Sequence, residues 1–417
     1  MAIPTIALTP VGVKLNKIYS QLPTNGDGDL VFTRASTATR VNSSGLIENV
    51  LTGIPRRDYL DGTCPTLLLE PQSTNQIINS EDLTNASYTK TGGTVVANNS
   101  TSPKGDLTMD LFKESAVSES HNFNPGTLNI IANVTQTVSV FFKKNTGSAQ
   151  RYLRIDLLGT SFTNGGRVLF DIETGLVSLS ALNIGTGTGA TGRVKDYGNG
   201  IYRASLSVNL NGGLTQARVN MFLQDQTASF VATYLGDGSS GVNLWGLGLE
   251  SLPSASSYNP TLATTVTRVA DTGVKTGDVS AYVNNKSILI EFEAKLFYTG
   301  EVQRISLNDN TFNSRISISF EASLGSINVF FIKDTVGFAT FNLSGIDLTG
   351  YNTYKILCKD GKQALKINDT EVATASIASV PFTELELTHL KLSNAGDSSP
   401  FFGRIKDILI YSDTTIY

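Results

Sequence analysis

The feature that most constrains this chain is a two-residue alternation of apolar and polar side chains. Val134, Gln136, Val138, Val140 and Phe142 fall on one side of an extended run, with Thr135, Thr137, Ser139 and Lys143 on the other. Only a strand sends successive side chains to opposite faces. Leu153, Ile155 and Leu157 repeat the pattern and turn Tyr152, Arg154 and Asp156 to the opposite face. From Ser287 onward Ile288, Ile290 and Phe292 alternate with Leu289, Glu291 and Glu293. No stretch sustains a 3.6-residue period, so the chain reads as all-β with half-buried strands.

Turn signals separate these runs at short intervals, as antiparallel sandwiches and jelly rolls require. Asp171-Ile-Glu-Thr-Gly175, Gly198-Asn-Gly200 and Lys359-Asp-Gly361 read as hairpin turns. The first two need a positive φ at Gly or Asn. Prolines at 4, 10, 23, 55, 65 and 71 break the first 79 residues into short extended pieces, too few to build a core alone. That stretch is expected to borrow a core from neighbouring subunits. Leu252-Pro-Ser-Ala-Ser-Ser-Tyr-Asn-Pro260 reads as a boundary. The expected organisation is an extended segment at 1–79, a jelly roll at 80–251, a linker at 252–285 and a second sandwich at 286–417. On this reading residues 80–417 fold without the N-terminal segment. Short strands with open edges in that segment further predict a homo-oligomer, dimer or trimer.

Composition removes several classes of function. With two cysteines and two histidines in 417 residues, a disulfide framework, a Cys-rich zinc site and most histidine-dependent catalysis are excluded. Basic residues are scattered and the net charge is −4, which disfavours nucleic acid as a partner. The apolar runs stop far short of the roughly 20 residues of a bilayer span, and no membrane insertion is expected. Met1-Ala-Ile-Pro-Thr lacks the pattern of a signal peptide, so no export by an obvious route is expected.

Several constellations have a chemical reading and a plainer one. Gly187-Thr-Gly-Ala-Thr-Gly192 fits G-x-G-x-x-G, but Arg193 onward is no helix to receive a phosphate, so a hairpin loop is expected. Glu291 with Glu293, and Glu384 with Glu386, are spaced like paired acids on one strand face. A third alternating acid is missing, so a solvated outer face is the better reading. Asn25, Asp27 and Asp29 offer alternating oxygen ligands that would suit Ca²⁺ in part, yet each residue favours turns by itself. No other cofactor is expected. Trp245 sits among apolar neighbours and reads as core. Tyr152, Arg154 and Asp156 place an aromatic plane, a forked donor and an acceptor on one face, a combination that would suit a sugar, with a cross-strand surface cluster as the plainer alternative.

Phe32-Thr-Arg-Ala-Ser-Thr-Ala-Thr-Arg-Val-Asn42, Pro55-Arg-Arg-Asp-Tyr-Leu-Asp-Gly62, Cys64-Pro-Thr-Leu-Leu-Leu-Glu-Pro-Gln72, Thr74-Asn75 and Ser80-Glu-Asp82 resemble the N-terminal stretch of bacteriophage fibre-type and receptor-binding virion proteins, frequent in phages of Bacteroidetes including crAss-like phages. The resemblance continues through Gly198-Asn-Gly-Ile-Tyr-Arg203, Leu244-Trp-Gly246, Ser257-Tyr-Asn-Pro-Thr261 and Val266-Thr-Arg-Val-Ala-Asp271. It implies a jelly roll similar to carbohydrate-binding modules in the middle. Phe402-Gly-Arg-Ile-Lys-Asp-Ile-Leu-Ile-Tyr411 resembles the closing strand of a concanavalin A-like, laminin-G-type sandwich. The resemblance implies a non-enzymatic head or tail fibre on the exterior of the virion. Its N-terminal segment would dock onto other virion proteins, and its sandwiches would meet host surface glycan. A polysaccharide depolymerase and an architectural decoration protein remain the alternatives.

Overall fold

The computed structural model describes residues 2–231, 233–323 and 325–417. Its regular elements are strands throughout, apart from a single 3-10 turn at Ser280–Tyr282. The chain forms two compact units. One is assembled from Met1–Thr37, Val50–Gln72 and Val269–Tyr417, the other from Ala38–Asn49 and Ser73–Arg268. Each is an antiparallel sandwich, so the all-β expectation holds, while the expected boundaries at 79, 251 and 285 do not.

The second unit is the jelly roll. A six-stranded sheet runs in the order Gly93–Thr101, Leu107–Glu114, Gly241–Glu250, Thr135–Lys144, Ile201–Asn209, Thr188–Asp196. A seven-stranded sheet runs Thr89–Thr91, Asn122–Asn124, Gln216–Gln224, Tyr152–Gly159, Gly165–Asp171, Val177–Ile184, with Thr127–Asn129 also pairing Gln216–Gln224. The core lies between them. Val138, Val140 and Phe142 from one sheet meet Leu153, Ile155, Leu157, Val168 and Phe170 from the other, all essentially without solvent contact. This is the inner face the alternation specifies, and each such side chain contributes about 1.5–3 kcal/mol by leaving water. The turns also form as read: Gly175 has φ 70°, and Gly198, Asn199 and Gly200 have φ 80°, 54° and 71°. The G-x-G-x-x-G stretch runs into the strand Thr188–Asp196 and meets no helix.

The first unit explains the proline-broken N-terminus. Its eight-stranded sheet places Gly403–Tyr411 beside Ser287–Leu296 on one edge. On the other edge two N-terminal strands share it: Thr66–Leu69 opposite residues 403–405 and Ile6–Leu8 opposite residues 408–410. Leu30–Thr33 likewise pairs Thr272–Lys275 inside the nine-stranded sheet. Ile6, Leu8, Phe32, Leu67 and Leu69 are buried in one core with Ile290, Phe292, Ile405 and Ile410. Residues 1–79 therefore are not a separate segment and do not need a neighbouring subunit for their core; residues 1–37 and 50–72 complete the C-terminal sandwich of their own chain, and residues 38–49 and 73–79 belong to the jelly-roll unit. Residues 252–285 are not a linker either. Ser256, Tyr258, Asn259 and Thr261 are buried in the jelly-roll unit, whereas Val279 and Val283 join the core of the other.

Candidate functional site

Several of the residues that carry the resemblance are internal fasteners. In the jelly-roll unit the Asn75 amide gives hydrogen bonds to the carbonyls of Leu247 and Asn259, each 3.0 Å, and accepts them from the N–H groups of Ile77 and Leu249, each 3.1 Å. Arg203 donates to the carbonyl of Ser256 at 2.5 Å and to Ser139 Oγ at 2.9 Å, and Arg268 to Ser257 Oγ at 2.8 Å. Trp245 packs at 4.5 Å from Tyr258 and 5.4 Å from Phe141, fully buried, as a core reading of it requires. Most buried polar groups in folded proteins are paired in this way.

The exposed chemistry lies on the face of the seven-stranded sheet that points away from the core. Register puts three parallel rows there, because directly opposed residues share a face. Arg154 opposes Phe222, Asp156 opposes both Asn220 and Arg167, and Leu158 opposes Arg218. Tyr152, Arg154 and Asp156 thus share a face as expected. They do not form an open surface trio, however, because Arg154 and Asp156 are 5% and 2% exposed. Arg154 grips Asp156 through two bonds of 2.8 and 2.5 Å and reaches the carbonyl of Val231 at 3.0 Å. Its guanidinium carbon sits 4.3 Å from the Phe222 ring and 6.0 Å from that of Phe230. The forked donor is used up by its own neighbour on the strand, and the segment carrying Phe230 covers the pair.

What remains open to solvent around that pair was not legible from one strand. Arg167 is half-buried, 3.2 Å from Asp156 and 5.7 Å from the Phe230 ring. Burial lowers its pKa below the usual arginine value; Asp156 only partly offsets this, and Arg154 adds repulsion. Arg218 stacks at 5.2 Å on Phe162, an aromatic residue 48% exposed with a left-handed φ of 60°. Cross-strand register alone could have found Arg167, Arg218, Asn220 and Phe222, and register is what a single sequence does not supply.

The calcium candidate disperses. Asp29 takes the Ser20 N–H at 2.8 Å and Lys17 Nζ at 2.9 Å. Asn25 and Asp27 instead bond each other at 2.6 Å and share the Tyr282 hydroxyl. Each of the three side chains is thus engaged by protein groups, and no cluster of three His, Cys, Asp or Glu side chains suited to a metal occurs among the described residues. Glu291 and Glu293 face Lys355 and Lys406 at 3.6 and 2.5 Å on an outer sheet face, as the plainer reading expects. Glu384 and Glu386 lie outside any strand, and Glu386 is held by Lys333 at 2.6 Å. Burial pushes the Cys358 thiol up to about 12, which keeps it protonated in the core.

A recess in the jelly-roll unit has a volume of roughly 200 Å³. Gly45 and Leu46 of the segment 38–49, Pro103, Lys143, Tyr197 and Ile201 line it. The Ile47 N–H to Pro103 carbonyl bond, 2.9 Å, holds that segment in place.

No family model and no curated protein matches the chain. Among solved structures it is similar to the CBM40 of Ruminococcus gnavus IT-sialidase bound to alpha2,3 sialyllactose, at 16% identity over 33% of this chain and 84% of that one, TM-score 0.28. It is also similar to domains LG4-5 of the mouse laminin alpha1 chain, at 9% identity over 71% and 86%, TM-score 0.25. A third is sheep galectin-11 in complex with glycerol, at 9% identity over 30% and 85%, TM-score 0.18. No helix is long and apolar enough to cross a membrane among the described residues.

Proposed function

We propose that this chain is a non-enzymatic bacteriophage virion component, a head or tail fibre on the particle exterior whose jelly roll binds host surface glycan. The observation that carries the glycan reading is the outer face of the seven-stranded sheet. There Phe230 and Phe162 stand beside Arg167 and Arg218, with Phe222 against the buried Arg154 and the Asn220 amide between them in register. Apolar ring faces with flanking donors match the two sides of a pyranose, its C–H face and its hydroxyl rim. The virion assignment rests on the motif resemblance.

Docking to virion partners and homo-oligomer formation, as dimer or trimer, are supported by the N-terminal part of the first unit. Val11, Leu15, Val31 and Leu51 are 46–72% exposed there, and the two-residue strand Val13–Lys14 ends its sheet. Several weak sites on one oligomer would give adhesion through avidity.

The test is to incubate the purified full chain with an array of bacterial surface polysaccharides, follow retention, and assay for new reducing ends. Retention without new ends is the expected result. New reducing ends would mean a depolymerase, and no retention on any polysaccharide would leave an architectural role.

A further inference from the structure

We infer that the outer face of the seven-stranded sheet selects saccharides bearing a carboxylate or sulfate, through Arg167 and Arg218. This rests on the glycan reading above and specifies its ligand class.

The charge inventory of the face is unbalanced. Arg154, Arg167 and Arg218 project from it, and Asp156 is the carboxylate among them, next but one to Arg154 on its strand and opposite Arg167, whereas Arg218 is opposed by Leu158. Asp171 lies at the far end, opposite Tyr152, and is engaged by the Gln150 amide at 2.8 Å. Asp156 is already held by two nitrogens of Arg154, so Arg167, at 3.2 Å, is a second cation on a carboxylate that is already paired. Arg218 has no ion-pair or hydrogen-bond partner among the described residues; its guanidinium lies against the Phe162 ring. The chain as a whole is acidic, with a net charge of −4, so this local excess of positive charge runs against the molecule's average.

The surroundings argue against a freely solvated arginine. Phe162 lies against one guanidinium and Phe230 against another, at 5.2 and 5.7 Å. Such stacking fixes the planar fork and leaves its edge for a planar or tetrahedral oxyanion, which two parallel N–H groups bind best. Phe162 keeps its ring there although its backbone has the left-handed φ of 60° that a bulky residue rarely adopts. The turn that holds it is closed by the Phe162 N–H bond to the Gly159 carbonyl at 2.9 Å. Asn220 sits between Arg218 and Phe222 on the same strand face and supplies both an acceptor and a donor for sugar hydroxyls.

The experiment uses the full chain and four immobilised probes: oligoglucuronate, its carboxyl-reduced neutral form, dextran sulfate and dextran. Retention of oligoglucuronate or dextran sulfate, and not of the neutral polymer of the same backbone, is expected; which acid is retained identifies the oxyanion. Arg218→Gln and Arg167→Gln should each weaken that binding by about tenfold, the scale of a lost charged hydrogen bond. Arg218→Lys should recover only part of it. Arg193→Gln, an exposed arginine on the other sheet, should bind as the parent does. Circular dichroism confirms that each variant is folded. Equal retention of charged and neutral probes, lost on Phe222→Ala, would overturn the acidic selectivity and leave the glycan reading intact. Equal losses in Arg193→Gln and Arg218→Gln would also overturn it, as nonspecific attraction. Retention of none of the four would remove the selectivity and count against the glycan reading too.

Discussion

Arg34 Nη1 lies 3.0 Å from Asp271 Oδ1 across 237 residues of chain, with both side chains fully shielded from solvent. Arg56 bonds the other Asp271 oxygen and also Glu70 at 2.6 Å, while the Glu70 N–H donates to Asp271 at 2.8 Å. Arg34 spends its remaining N–H groups on the carbonyls of Ser36, Leu51 and Ile54. Burial works against the Arg56 charge, but Asp271 and Glu70 outweigh it and hold its pKa above the ordinary value. Two cations and two anions thus close a neutral cluster inside the first unit, and they come from four of the resemblance motifs.

Removing one member leaves buried charge without a counterion, which is costlier than never having the pair. Asp271→Ala is expected to destabilise the first unit by about 3–5 kcal/mol. Urea unfolding followed by tryptophan-free probes of that unit, such as hydrogen exchange in Ser287–Leu296, measures it. A loss under about 1 kcal/mol, the size of an exposed pair, would contradict the cluster's role.

Deleting residues 1–79 is expected to abolish cooperative folding of the C-terminal sandwich, contrary to the independence read from proline density. The deletion strips Ile6–Leu8 and Thr66–Leu69 from Gly403–Tyr411 and removes Arg34 and Arg56 from Asp271. Calorimetry of residues 80–417 decides the matter. Two transitions matching those of the full chain would show that the N-terminal strands are dispensable.

Gly246 has φ 63°, and a Cβ there would lie 2.9 Å from the Phe141 ring and 3.1 Å from that of Tyr258. It sits where the pairing of Thr135–Lys144 with Gly241–Glu250 slips register, between Ser139 and Phe141. Gly246→Ala should cost about 1–2 kcal/mol for the left-handed backbone alone, with the ring contacts added. The thermal midpoint of the jelly-roll unit is the measurement, and an unchanged midpoint would refute the account.

Acidification is expected to weaken the first unit in two stages. Burial first, then the Lys391 charge and Lys275, hold the His389 imidazole below the usual 6.5, with Asp278 and Asp397 opposing. The unfolded chain therefore binds the extra proton first, so stability present above pH 6.5 is lost as pH falls through the native value. Asp397 is desolvated, yet its bonds to Lys275 and Lys391 keep it below the usual 3.8. Its contribution is lost further down, as pH falls from 3.8 through the native value. His389→Gln should flatten the first stage and leave the second. A slope between pH 7 and 5 that the variant does not change would assign that stage to another group.

Local sequence determined what each strand presents to either side. Val138, Val140 and Phe142 face inward, Gly198 to Gly200 turn, and Ile288, Ile290 and Phe292 line a core, because φ/ψ preferences and a period of two act over a few residues. Tertiary structure decided which partner covers each side. One edge of Gly403–Tyr411 is closed by strands more than 300 residues earlier, and this turns a proline-rich stretch that reads as an arm into part of a sandwich. The same holds for the candidate site. Alternation put Arg154 and Asp156 on the outer face, but only strand pairing could set Arg167, Asn220 and Arg218 beside them and bury the first two. A side chain's direction follows from its own backbone, whereas its neighbours and its exposure follow from register between distant segments, which no local pattern encodes.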